Sequence, residues 1–247
     1  MTSPVSYETQ GEIAVIRIDN PPVNAASQAV RAGLVAAFDR FAAAPEKVAV
    51  LYGAGRTFVA GADISEFGKP PQEPLLPAVI NHIEAQTKPV VGVIHGTALG
   101  GGLEIALGCH YRVMQRGARL GLPEVLLGIL PGAGGTQRLP RLAGMVPAAE
   151  IITSARQVPA QEAMELGIVD ALSDADPLTA GLNFATELLV TDAGVRRVGE
   201  MPAPKPDAEG VAALKEKVAR ANPGQIAQTT ALEAIVNGMA LPFADGM

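Results

Sequence analysis

Two short runs rich in β-branched residues, 13–18 and 48–52, are each followed by Gly, Asn or Pro and read as strands. Between them, residues 27–44 place Val30, Leu34, Ala37, Phe38 and Phe41 at helical spacing ahead of Pro45, which predicts a helix. A third strand is predicted at 90–95. It runs into Gly96 and then Gly100, Gly101 and Gly102, where a helix should begin, carry Leu103, Ile105, Ala106 and Leu107 into the core, and end near Gly108. Residues 111–114 and 118–120 add strands, and 129–136 form a glycine-rich loop that opens a helix around Gln137.

The alternation of strands and helices predicts an α/β fold. From Pro147 the pattern turns mainly helical: PAQEAMELG reads as a capped helix, 168–171 as a short strand and 178–190 as a further helix. The Pro-rich stretch 201–207 reads as a hinge. Behind it lie two amphipathic helices, roughly 208–221 and 224–240, separated by Asn222 and Pro223. The expected organisation is a core over 1–190 and a packed C-terminal helical unit over 191–247, with no fixed-period repeat.

Composition narrows the function. A chain of 247 residues can bury one sizeable core, and 48% hydrophobic with 18% charged residues fits a compact soluble protein rather than disorder. A net charge of −6 argues against nucleic acid, since phosphate binding needs a basic face. The single Cys109 excludes an internal disulfide and suits a reducing compartment, so cytoplasm is the expected location. The start, MTSPVSYETQGE, has no basic and apolar leader pattern, and the uncharged stretch 89–103 is too short and glycine-rich to span a membrane.

Three segments could carry chemistry. In GGGLE, glycines at a strand-to-helix junction expose backbone N–H groups at the positive end of a helix, where developing negative charge is stabilised, and Glu104 follows in the first turn. In RTFVAGADI, 56–64, small residues let a ligand approach the backbone. In GLPEVLLGILPGAGGTQRLP, Glu124 stands between a proline and an apolar run, where desolvation would raise its pKa toward neutrality. Each has a plain structural reading as well: a packing junction, a turn, a helix-start carboxylate.

Competing motifs fail. GAGRTF and GAGGTQ lack the third glycine of the dinucleotide fingerprint, and no phosphate-binding P-loop or G-x-S-x-G elbow occurs. His82, His95 and His110 lack metal-ligand spacing, so no metal is expected.

Taken in this order and spacing, the segments resemble the crotonase (enoyl-CoA hydratase/isomerase) superfamily. KPVVGVIHGTALGGGLEIALGCHYRV looks like its central signature and FVAGADI like its upstream oxyanion segment. The likeness is greatest to the N-terminal hydratase/isomerase region of multifunctional fatty-acid β-oxidation enzymes, through GLEIALGCHYR, GLPEVLLGILPGAGGTQRLPR and AQEAMELGIVDAL; at His110 many simple hydratases carry Asp. The resemblance implies a spiral of ββα units followed by a C-terminal helical unit, and hydration of a trans-2-enoyl-CoA to a 3-hydroxyacyl-CoA. It assigns the oxyanion donors to the N–H groups of Ala62 and Gly101 and the acid/base pair to Glu104 and Glu124. It puts substrate contacts at Ala60, Asp63, Ile64, Gly100, Pro131 and Gly132.

No cofactor is implied beyond the CoA thioester substrate itself. A stand-alone chain of this kind would form a homotrimer or hexamer, and one cut from a fused enzyme a monomer; 247 residues leave no room for the fused dehydrogenase. Two other readings stay open: a Δ3,Δ2-enoyl-CoA isomerase, alone or as a second activity, and a catalytically silent CoA-binding module.

Overall fold

The computed structural model describes residues 3–221 and 223–247; Asn222, part of the expected break between the last long helices, lies outside them, as do Met1 and Thr2 of the amino-terminal stretch. The chain opens with β1 (Val5–Gln10) and β2 (Ile13–Ile18), then α1 (Gln28–Ala43), β3 (Val48–Gly53), α2 (Leu76–Glu84), β4 (Val90–Ile94), β5 (Thr97–Leu99) and α3 (Gly101–Gly108). It continues through β6 (Tyr111–Gln115), β7 (Arg119–Gly121), α4 (Gly135–Ala143), α5 (Met145–Ser154), β8 (Val158–Pro159), α6 (Ala160–Glu165) and β9 (Ala171–Ser173). Four helices close it: α7 (Pro177–Thr191), α8 (Ala208–Ala221), α9 (Ile226–Met239) and α10 (Phe243–Gly246).

The main sheet has the order β1-β2-β3-β4-β6-β9, with β1 antiparallel to β2 and the other pairs parallel. Its inner strands are buried on both faces, which is why they read as unbroken apolar runs. Side-chain alternation sends Ile16, Leu51 and Ile94 toward α1, α2 and α3, and Val15, Val50 and Val93 toward α7. Helix α7 lies close enough that a Cβ on Gly181 would meet Val50 Cγ1 at 2.4 Å. Successive turns also feed a small second sheet, β5-β7-β8, through β4 into β5 and β6 into β7, with Val59 bridging Ala98 at its edge. This is the expected α/β spiral of ββα units.

Ser27 caps α1 by accepting from Val30 N–H at 3.4 Å. By contrast α6, expected to be capped, starts from Pro159 with no side-chain cap, and the strand expected at 168–171 forms three residues later, as β9. Arg112 explains that shift: its Nε donates to the Ile168 carbonyl and its own carbonyl accepts from Asp170 N–H, so residues 168–170 bind a buried guanidinium and loop rather than the ladder. Helices α8 and α9 lie on α4 and α5, and Leu214, Val218, Leu232 and Ile235 complete the same core as the sheet. No helix among the described residues is long and apolar enough to cross a membrane.

Candidate active site

The site is built where α3 starts. Gly100 caps the helix at φ +52°, and a Cβ there would stand 3.1 Å from Glu124 Oε1. Two residues on, a Cβ on Gly102 would meet the Val59 carbonyl oxygen at 2.0 Å, so only glycine lets the helix sit directly on the 58–62 segment. A Cβ on Gly101 would lie 3.4 Å from the Ala62 nitrogen, which makes the two backbone N–H groups neighbours. Neither meets an acceptor among the described residues. For Gly101 that is the usual fate of a first-turn helix donor; Ala62 is left over beside its isolated bridge to Ala26.

Glu104, on the first turn of α3, is only 3% exposed. Its Oε1 accepts from Ala133 N–H and Gly135 N–H, each at 2.8 Å, and Gly135 opens α4, so the carboxylate rests at the positive end of a second helix. Burial pushes its pKa up; the Gly135 and Ala133 hydrogen bonds and the Arg138 charge pull the other way. Glu124 opens a short 3-10 turn, Glu124–Leu127, and its Oε2 is buried without a hydrogen-bond partner. Burial first, and the charge of Glu104 second, push its pKa up to about 8. One carboxyl is thus gripped by two donors, and the other keeps a buried oxygen with none.

A cavity of ≈ 290 Å³ gathers Ala60, Ala62, Ile64, Gly100, Gly101 and Glu124 on its walls. Phe67, Leu126, Leu127 and Ile129 form an apolar mouth, with Leu126 70% exposed. A second cavity of ≈ 620 Å³ adjoins it, shares Ala62, Phe67 and Ile129, and adds Asp63, Arg31 and Lys69. Asp63 caps the turn Ile64–Glu66 by accepting from Ser65 N–H at 2.9 Å, and the Ser65 hydrogen bonds hold its carboxyl below the ordinary range. Pro131 and Gly132 stand apart from both cavities: Pro131 is buried beside Glu104, and Gly132 is exposed. Both belong to the loop that delivers the Ala133 and Gly135 donors.

The enoyl-CoA hydratase/isomerase family profile matches residues 8–195. The chain belongs to that family. It is 43% identical over 238 residues to a peroxisomal bifunctional enzyme of Danio rerio, covering 95% of this chain and 33% of that enzyme. A probable enoyl-CoA hydratase of Bacillus subtilis is 44% identical over 173 residues, 67% of each chain. Among solved structures, an enoyl-CoA hydratase from Bacillus anthracis superposes with a TM-score of 0.69 at 30% identity, covering 99% of this chain and 90% of that one. The chain therefore spans about a third of the length of the bifunctional relatives it matches.

As a member of this family the chain brings together its glycine junction, its 58–64 segment and Glu124 around one apolar pocket, while Glu104, buried on the first turn of α3, does not line it. Sequence reasoning overlooked the mouth formed by Phe67, Leu126, Leu127 and Ile129; the signal was present, since the LLGIL run after Glu124 leaves Leu126, Leu127 and Ile129 exposed instead of sending them to the core. It also overlooked Arg138, for which a lone charge in a helical segment gives no sign of full burial.

Proposed function

We propose that the chain is an enoyl-CoA hydratase, adding water to a trans-2-enoyl-CoA to give a 3-hydroxyacyl-CoA, as in fatty-acid β-oxidation. The observation that carries this reading is the unequal treatment of two carboxyls at one site: Glu104 with two N–H donors, Glu124 with none on its buried Oε2. At Glu104 the two donors and the Arg138 charge oppose the rise that burial causes, and at Glu124 a carboxyl with a pKa of about 8 keeps its proton at neutral pH.

The thioester oxygen lies between the Ala62 and Gly101 N–H groups, which draw electron density from the conjugated double bond and make the β-carbon electrophilic. Glu104 takes a proton from water as the oxygen bonds to the β-carbon, and the electron pair of the double bond moves onto the thioester as an enolate. Collapse of the enolate takes the Glu124 proton onto the α-carbon, and passage of the Glu104 proton to Glu124 resets the pair. The reaction is redox-neutral, and the two N–H donors supply the electrophilic assistance, so no metal or redox cofactor is called for. The apolar mouth suits an acyl chain, and Ala60, Ile64 and Gly100 line the same wall. Asp63, on the adjoining cavity, remains a substrate contact in this proposal, and so do Pro131 and Gly132, which line neither cavity and sit on the loop that delivers the Glu104 donors.

The bare Oε2 of Glu124 also suits proton shuttling between two carbons, which supports Δ3,Δ2-enoyl-CoA isomerisation as a second activity. Location in the cytoplasm, and a trimer, hexamer or monomer as the working state, stay with the proposal; relatives named peroxisomal make a peroxisomal location the competing one. The test follows loss of the 2-enoyl-CoA absorbance with crotonyl-CoA for the wild type, Glu104→Gln and Glu124→Gln. Hydration abolished by either change supports the two-carboxyl mechanism, and an inactive wild type overturns it.

A further inference from the structure

Arg138 in α4 is fully buried, lines neither cavity of the site, and its charge acts on Glu104. Burying a guanidinium carries a desolvation cost that only close partners offset. Its partners run in two directions. Toward the site, Nη1 donates to the Ala133 carbonyl at 3.3 Å, and Ala133 N–H is one of the two donors to Glu104. The guanidinium occupies space that any side chain on Gly134 would need, since a Cβ there would meet Nη1 at 2.2 Å. Away from the site, Nε and Nη2 donate to Glu84 Oε2 at 3.2 and 2.6 Å, and Nη2 also donates to Asn81 Oδ1 at 2.8 Å. Glu84 is itself held by Gly199 N–H at 2.7 Å, and the Phe243 ring of α10 lies 4.9 Å from the guanidinium carbon.

We propose that Arg138 is a positioning residue for Glu104: gripped by Glu84 and covered by Phe243, it fixes the 131–135 loop so that the Ala133 and Gly135 donors hold the carboxylate, and so couples the C-terminal helix α10 to the active site. The proposal rests on the hydratase reading only for its kinetic arm. The charged groups acting on Glu104 are Arg138 and Glu124; Arg138 faces Glu84 and Arg141, and Arg141 shares the Phe243 ring at 5.0 Å. Loosening the clamp weakens the donors and moves a cation away, and both changes favour the protonated form of Glu104.

The test titrates Glu104 by carbon-13 NMR in protein labelled at the glutamate carboxyls, with the resonance assigned by its loss in Glu104→Gln. Arg138→Gln should raise the titration midpoint by about half a pH unit or more, Phe243→Ala should raise it by less, and Phe243→Tyr should restore it. With crotonyl-CoA, Arg138→Gln should lower kcat by about tenfold or more with little change in KM, and move the acid limb of the pH profile upward. Arg138→Lys, which keeps the charge but loses the fork, should lose kcat while keeping most of that limb. An unmoved Glu104 titration in Arg138→Gln overturns the proposal. So does an unmoved titration in Phe243→Ala, which decides alone if Arg138→Gln fails to fold. A wild type that does not hydrate crotonyl-CoA removes the functional reading and leaves the NMR titration to judge the positioning.

Discussion

The two glutamates sit on very different pieces of chain. Glu104 belongs to an eight-residue helix buried throughout, and its carboxylate is tied to a second helix. Glu124 opens a single 3-10 turn whose next residues, Leu126 and Leu127, are 70% and 65% exposed. The buried helix presents its carboxyl to two N–H donors, and the half-exposed turn leaves the Oε2 of its carboxyl without one. Burial raises proton affinity at both groups, and the backbone N–H groups that the loop between Ile129 and Gly135 aims at Glu104 oppose that rise there.

The largest effect should come from the gripped side. Glu104→Gln keeps the shape and the space but cannot accept a proton, so crotonyl-CoA hydration should fall by about 10³-fold, within the range for loss of general-base catalysis. A stopped assay with purified variant and wild type measures this; a loss under tenfold would mean that Glu104 is only a packing carboxylate at a helix start. Glu124→Gln should cost less, about 10²-fold, because water can deliver the second proton once the oxyanion donors have formed the enolate. Equal losses in the two variants would erase the contrast between them.

How much of this was legible in the chain differs by region for physical reasons. The Gly100–Glu104 junction announced itself because close backbone approach at Gly102 and an unusual φ at Gly100 permit few residue types. The apolar runs of β2 to β4 were legible too, because strands buried on both faces admit little but apolar residues. Strand β1 was not seen, since as an edge strand only Val5 is buried and VSYETQ shows no apolar alternation to read. Helix α2 hides behind Pro74 and carries a proline at its own second position, where proline is tolerated but usually read as a break. Pro131 and Gly132 were nominated as substrate contacts, and the part of that loop the sequence did not reveal is that its Ala133 and Gly135 N–H groups turn toward Glu104. Which way a glycine-rich loop points is decided by what packs behind it, here Arg138, and that is a tertiary fact.

A smaller effect should appear in the pH profile. In the proposed mechanism Glu124 must be protonated, so kcat/KM should decline above about pH 8, approaching tenfold per unit, as that carboxyl ionises. On the acid side the limb belongs to Glu104 and should lie above the ordinary carboxylate range, since burial outweighs its donors. The two limbs report the pair together. In Glu124→Gln the residual activity should lose the alkaline limb and keep the acid one; an alkaline limb that survives would assign it to another group.

The smallest effect concerns stability. A carboxyl whose folded-state pKa is raised to about 8 keeps its proton in the fold above its unfolded value, near 4.3, where the unfolded chain gains by ionising, so it costs stability there. Its contribution is therefore complete below that unfolded value and is lost progressively as pH climbs through 8. Glu124→Gln removes the ionisation without emptying the space, so the variant should match wild type at pH 4.5 and melt higher at pH 9. Partial solvent access limits the gain to about 2–4 °C, the shift that about 1 kcal/mol produces in a chain of this size. Thermal melts at the two pH values decide it. If the gap is the same at both, or wild type melts higher at pH 9, Glu124 is already ionised at little cost, and the acid role must move to another group.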